Sequence, residues 1–175
     1  MRIAVTGTPG TGKTTATNLL ESRTDIGGDL EVIHLGEIIE SEEFYTSIDE
    51  NRDSKIADLE GLATWLDGRD DAVFESHLAH HFPADRVAVL RCHPRELKSR
   101  LLDRGESERK ARENVESESL DVILVEAVER HGLESVYEID TTDREPDAVA
   151  GELETVVRGD REPSAGEVDY VGYLS

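Results

Sequence analysis

Gly7-Thr8-Pro9-Gly10-Thr11-Gly12-Lys13-Thr14 is the stretch of this chain best equipped for chemistry. Its glycines let the backbone wrap an anion, with successive N–H groups pointing inward at a phosphate. Lys13 can reach the β- and γ-phosphates of a nucleoside triphosphate, and the Thr14 hydroxyl can ligate Mg²⁺. The pattern G-x-x-x-x-G-K-T carries weight only between a strand and a helix. Both are expected here, from the apolar run Ile3-Ala4-Val5 ahead of it and helix-compatible residues 15–21 behind it. That helix would aim its positive end at the same point. A nucleoside triphosphate and Mg²⁺ are therefore the expected ligands.

Three further segments bear on what is done with the nucleotide. Val73-Phe74-Glu75-Ser76-His77 puts an acid at the carboxyl end of a short strand. Beside the phosphate-loop strand, that is where Mg²⁺, or a water on it, is held. Glu75 is thus a candidate metal residue, with His77 two positions on; the plainer alternative is an acid that faces water. Arg100-Leu101-Leu102-Asp103-Arg104-Gly105, followed by Arg109 and Lys110, sets four bases around a glycine hinge in a chain poor in bases. Phosphoryl transfer needs positive charge on the moving group and exclusion of water. The segment reads as a lid over the phosphates, against the alternative of a solvated helix face with i,i+4 pairs. His34-Leu35-Gly36-Glu37, a strand end followed by a helix start, makes an acceptor pocket at the same sheet edge.

The elements that must position these residues alternate as strand and helix, which implies a parallel sheet with crossover helices. Strands are expected over residues 2–6, 30–35, 72–75, 86–91 and 136–139. Helices are expected over 13–23, 36–41, 55–66, 94–103, 108–131 and 146–157. The helix at 55–66 rests on a stripe of Ile56, Leu59, Leu62, Ala63 and Leu66, and Gly132 should stop the long helix. Residues 42–54 have few apolar anchors and many turn formers. From Gly159 on, Pro, Gly and acids predict a loosely held acidic tail.

One domain of 175 residues has enough chain for a core. There are 40 acids against 19 bases, for a net charge of −21. That charge removes the basic footprint of non-specific nucleic-acid binding. Hydrophobic residues make up 37% and keep strand and helix periods, so the acidity reads as a carboxylate coat on a folded protein. Such a coat suits a salty cytoplasm where counterions screen self-repulsion. No apolar run approaches the roughly 18 residues of a membrane helix. Met1-Arg2-Ile3 enters a strand at once, so no signal peptide is expected, and the single Cys92 fits a reducing interior. A cytoplasmic protein is expected.

Within the broad phosphate-loop class, the chain lacks an Asn-Lys-x-Asp guanine reader and a Leu-Ser-Gly-Gly signature, ring-forming ATPases are usually longer, and a short chain with polar inserts best fits a small-molecule kinase. Gly7-Thr8-Pro9-Gly10-x-Gly12-Lys13-Thr14-Thr15 resembles the phosphate loop of the adenylate kinase 6 family in its archaeal form. Val87-x-Val89-Leu90-Arg91 with Leu97-x-x-Arg100-Leu101-x-x-Arg104-Gly105 resembles it too. So does Glu108-Arg109-Lys110-x-x-x-Asn114-Val115-x-x-Glu118, continuing to Glu126-Ala127. The family's Asp-x-His is Glu75-Ser76-His77 here, an acid one methylene longer. Its Gly-Tyr before the lid helix is Gly105-Glu106.

The resemblance implies a phosphate-loop NTPase fold: a central parallel sheet of about five strands, flanking helices, an NMP-binding insert at about 36–54 and a short lid at about 103–113. The domain would span 1–158 and the tail 159–175. It implies ATP:NMP phosphotransfer, chiefly to AMP, with a side ATPase activity. It also implies a role in small-subunit ribosome maturation through ribosomal protein uS11 and the pre-30S particle. Lys13, Arg104 and His77 would be catalytic, with Gly10, Gly12, Lys13, Thr14, Thr15 and Arg104 on ATP, and Thr14 and Glu75 on Mg²⁺. Arg100 and Arg109 are weaker candidates. An ATP-switched assembly factor binding uS11 with little kinase activity is the alternative. A zinc set of His77, His80, His81 and His93 is a further one, although no cysteine pairs accompany it. Tyr45 is a candidate contact for the acceptor nucleotide, Trp65 reads as core or its edge, and Cys92 as an inert thiol.

Overall fold

A computed structural model of the chain describes residues 1–23, 30–51 and 54–175. β1 (Arg2–Thr6) leads through the glycine-rich loop into α1 (Lys13–Glu21). β2 (Glu31–His34) and α2 (Leu35–Ser41) follow, then the strands β3 (Tyr45–Asp49) and β4 (Ser54–Ala57), and α3 (Leu59–Leu66). β5 (Ala72–Glu75) precedes a 3₁₀ turn at Ala79–His81 and β6 (Arg86–Arg91). α4 (Pro94–Asp103), α5 (Glu108–Ser119), α6 (Val122–His131), β7 (Val136–Asp140) and α7 (Pro146–Arg158) complete the order.

The main sheet has five parallel strands in the order β2-β5-β1-β6-β7. Its strands alternate between two apolar layers, which is why they read as near-continuous hydrophobic runs. Ile3, Val5, Val73, Leu90 and Ile139 face Leu20 of α1 and Val149, Leu153 and Val156 of α7. Ala4, Phe74, Val87 and Val89 face Leu62 and Leu66 of α3 and Leu124 and Ala127 of α6. A third cluster of Cys92, Leu97, Leu101, Ala111 and Val115 joins α4 to α5. Because the strands are parallel, the ends of β1, β2, β5 and β7 all open on one edge, the usual ligand crevice of such sheets.

Four expectations change in the structure. Tyr45–Asp49 and Ser54–Ala57 form an antiparallel ribbon, β3 against β4, where turn formers alone were visible. The helix expected from residue 55 begins at Leu59. Asp58 caps it by accepting from the Gly61 N–H at 3.0 Å, and Ile56 falls in the ribbon, half exposed. The long helix over 108–131 is two helices. Asp121 adopts a left-handed conformation between them (φ 55°) and turns its carboxylate onto Arg91. The apolar period runs unbroken across that joint, so only the tertiary ion pair marks the break.

The tail is also not loosely held. The N–H groups of Glu167 and Val168 donate to Glu138 Oε2 at 2.7 and 3.2 Å, and Arg161 donates to the Glu138 carbonyl at 2.7 Å. Ser164 is buried, and the Tyr170 hydroxyl donates to Asp140 Oδ1 at 3.1 Å. What anchors the tail is a buried acid on β7, a partner that tail composition cannot disclose.

Candidate functional site

The glycine-rich loop and the first turn of α1 form the floor of a cavity of about 680 Å³. Gly10 and Gly12 have φ of 93° and 94°, in the left-handed region that other residues enter only at a cost. A Cβ at Gly10 would also stand 2.9 Å from the methyls of Leu97 and Leu101, so the loop lies flush on α4. Gly12 precedes α1 with no side chain capping its first turn. The N–H groups of that turn therefore stay available to an anion.

Lys13 is buried, and its Nζ donates to the carbonyls of Gly7 at 2.8 Å and Thr8 at 3.1 Å. Desolvation lowers its ammonium to about 8; Glu75 and Glu118 pull it back up and Arg104 pushes it further down. A triphosphate would supply the counter-charge that burial removes. Thr14 and Thr15 are exposed into the cavity. Thr14 Oγ1 donates to Glu75 Oε1 at 3.0 Å, and the same oxygen lies 2.9 Å from His34 Nδ1. A hydroxyl beside a buried carboxylate is a hard-oxygen pair, and the set fits Mg²⁺.

His77 stands at the accessible rim of the cavity with protein packed around much of its ring. Desolvation, then Lys13, His80 and His81, lower its imidazole to about 4, so it is neutral at pH 7. Arg100 and Arg104 also line the cavity. Arg100 is committed: it donates to the Thr141 carbonyl at 2.9 Å, to Thr141 Oγ1 and to Glu96. Arg104 is about half exposed and, among the described residues, is held by a 3.4 Å contact to Glu106, so its guanidinium can turn to a ligand. Arg109 instead donates to the Asn51 carbonyl at the tip of the β3–β4 ribbon, and Lys110 pairs with Glu106.

The structure thus brings together Gly10, Gly12, Lys13, Thr14, Thr15, Glu75, His77 and Arg104 around one cavity. Arg109 stands outside its lining. Tyr45 is also outside it, with the Lys55 ammonium 4.4 Å from its ring. Trp65 lies at the edge of the core under the Arg69 guanidinium, and Cys92 is buried with its thiol pushed by desolvation to about 12. The four histidines do not converge: His77 faces the cavity, while His93 packs on the rings of Tyr170 and Tyr173. Thr141, Arg144, Pro146 and Val149 line the cavity too and were not singled out from the sequence. The signal that could have found them is the strand-end rule, applied to β7 as it was to β2 and β5.

Behind the floor lies a buried ion network. Thr8 Oγ1 donates to Glu118 Oε2 at 2.6 Å, and Arg91 donates to Glu118 at 2.9 Å, to Glu138 at 2.5 Å and to Asp121. Burial alone would lower the Arg91 guanidinium; Glu118 and Asp121 outweigh it and hold it above its ordinary value. The network connects the phosphate loop to α5, β7 and the tail.

Comparison with known proteins bears on this site. A family model described as an AAA domain matches residues 3–121. The chain is 56% identical to a protein of Natronomonas pharaonis named “Putative adenylate kinase”, over 99% of this chain and 100% of that one. It is 53% identical to a protein of the same name from Halobacterium salinarum, again over 99% and 100%. Among solved structures, shikimate kinase from Aquifex aeolicus superposes with a TM-score of 0.54 at 15% identity, over 91% of this chain and 98% of that one, a likeness of fold.

Proposed function

Because the chain belongs to the adenylate kinase family of these archaeal relatives, we propose that it transfers the γ-phosphoryl group of ATP to AMP or another nucleoside monophosphate. The observation that carries this reading is one cavity lined by a buried ammonium, the Thr14–Glu75 pair and the half-exposed Arg104 guanidinium. Its lining includes Gly36 in the first turn of α2, the phosphate loop, Thr141 just after β7 and Val149 of α7. A donor base fits beside Thr141 and Val149 and an acceptor beside Gly36.

In this reading the N–H groups of residues 10–15 and Lys13 grip the β- and γ-phosphates. Thr14, beside Glu75, would hold Mg²⁺, which when bound neutralises phosphate charge. Arg104 swings from Glu106 onto the transferring group, where positive charge lowers the barrier. His77, neutral at the rim, orients the acceptor phosphate or the water around it. The insert at 36–54, of which residues 52 and 53 lie outside the described residues, covers the acceptor. The lid at 103–113 meets the insert where Arg109 touches Asn51. Slow ATP hydrolysis follows if water enters the acceptor position.

A coupled assay with ATP plus AMP, against ATP alone, tests the proposal. ADP formation well above the ATP-alone rate is expected, and no excess over that background would overturn it. The resemblance extends the proposal to ribosomal protein uS11 and the pre-30S particle, and a net charge of −21 favours such basic partners. Retention of uS11 by the immobilised protein in concentrated KCl is the expected result; no retention in any nucleotide state removes that part. Among the described residues no helix is long and apolar enough to cross a membrane.

A further inference from the structure

Outside the lining of the nucleotide cavity, three ligand-type side chains converge without a role in the proposed transfer. His80 Nε2 lies 2.8 Å from Glu126 Oε2, and His81 Nε2 lies 3.9 Å from the same oxygen. All three ligand atoms fall within 4.8 Å of one another. Two come from the 3₁₀ turn Ala79–His81 and the third from the middle of α6. We propose that His80, His81 and Glu126 form a binding site for a divalent transition-metal ion of the zinc type.

The geometry has the right scale. At zinc–ligand distances near 2.0–2.1 Å, neighbouring tetrahedral ligand atoms stand roughly 3.3 Å apart. The contacts of 2.8 and 3.9 Å bracket that spacing, so an ion enters with small side-chain shifts. His80 is buried, and its Nδ1 lies 2.8 Å from Thr6 Oγ1. Without an ion, Nε2–H donates to Glu126 and Nδ1 accepts from Thr6; with an ion bound, the proton would move to Nδ1, which would donate to the Thr6 hydroxyl, and Nε2 would turn its lone pair to the metal, the arrangement by which an outer partner orients a ligating imidazole. The His80 carbonyl accepts from His131 Nε2 at 2.8 Å, which pins the turn to the end of α6. Desolvation lowers both His80 and His81, which favours the uncharged form that ligates. Glu126 and His81 retain access to solvent, which leaves an entry path and a fourth position for water.

Two imidazoles and one carboxylate select zinc, cobalt or nickel over Mg²⁺, which prefers oxygen ligands. Arg130, one turn beyond Glu126, depresses both histidines and opposes a cation, so the donor bonds must supply the affinity. Thr6 immediately precedes the phosphate loop, so an ion here would brace the strand end from which that loop starts.

The test is titration of the nucleotide-free full-length protein with Co²⁺ in molar KCl, which screens the acidic coat, followed by visible absorption and Zn²⁺ competition. One equivalent giving tetrahedral d–d bands, with no thiolate charge-transfer band and displaced by Zn²⁺, is expected. H81A and E126Q should each weaken binding by at least about 100-fold, since even outer-partner losses cost about 10–100-fold; T6V should cost about tenfold. H93A and T14V should bind as the parent does, which separates this site from the other histidine and from the phosphate-loop cation. Circular dichroism of each variant checks folding, and E126Q alters a partly exposed residue that the core does not need. Equal binding by parent, H81A and E126Q, an octahedral spectrum only, or no binding by the folded parent would each overturn the proposal.

Discussion

Lys13 is the residue whose environment most shapes the site. Burial holds its folded-state ammonium at about 8, against 10.5 for a free lysine. Between those values the unfolded chain binds more protons, so this group adds stability as pH rises from about 8 to about 10.5. A nucleotide needs the charged form and so binds most tightly below that window. ATP affinity should be about tenfold weaker at pH 9 than at pH 7. Calorimetry across pH should show this, and a flat profile in Lys13→Met would assign it to the ammonium. The same variant should lose about 10²–10³ in kcat, the range for removing one preorganised charge donor at a transition state. Its melting temperature should change little. Relief of a buried charge is offset by the Gly7 and Thr8 carbonyls losing their donor. Arg104→Ala should lower kcat by about 100-fold while leaving ATP binding nearly intact, because in the proposed transfer its guanidinium leaves Glu106 for the moving group. Steady-state kinetics beside calorimetry separates the two effects.

Arg91 does at the level of elements what Lys13 does at the level of residues. It is 1% exposed and joins β6 to Glu118 of α5, Asp121 at the α5–α6 joint and Glu138 of β7. Removing one member of a buried ionic network strands its partners without counter-charge. Arg91→Met should therefore destabilise the fold by about 3–5 kcal/mol, or roughly 10 °C in melting temperature, with urea and thermal unfolding as the readout. The tail closes the same network from outside. Deleting residues 160–175 removes both N–H donors from Glu138 Oε2 and should cost about 1–3 kcal/mol. A truncated protein that melts with the full chain would show that the tail only covers the surface. The segment proposed as a lid is tied differently: α4 and α5 share a small apolar cluster, and Arg109 of α5 also donates to the Asn51 carbonyl beside the ribbon.

At the scale of the whole molecule, charge dominates. A net −21 over 175 residues produces self-repulsion that dilute buffer does not screen. The melting temperature should climb steadily from dilute buffer to molar KCl, as for a protein built for salt; thermal scans across that range that coincide would refute it. The relatives from Natronomonas pharaonis and Halobacterium salinarum, both halophilic archaea, agree with the coat read from composition.

What the amino-acid order alone determined is whatever depends on neighbours along the chain. The phosphate loop was legible because glycine spacing, lysine and hydroxyl act within eight residues. The parallel sheet was legible because strands buried on both faces must be apolar throughout. Glu75 was legible from the strand-end rule. The tertiary structure alone decided what depends on residues far apart in sequence. Asp121 breaks a helix because Arg91, thirty residues earlier, holds its carboxylate. The acidic tail is ordered because Glu138 offers it a buried acceptor. Glu75 meets both Thr14 and His34 only once three strand ends share an edge. His80 and His81 find Glu126, rather than His77 and His93, because the 3₁₀ turn packs on α6. Local pattern names a backbone's shape; which charges end up within 3 Å of one another is settled by packing.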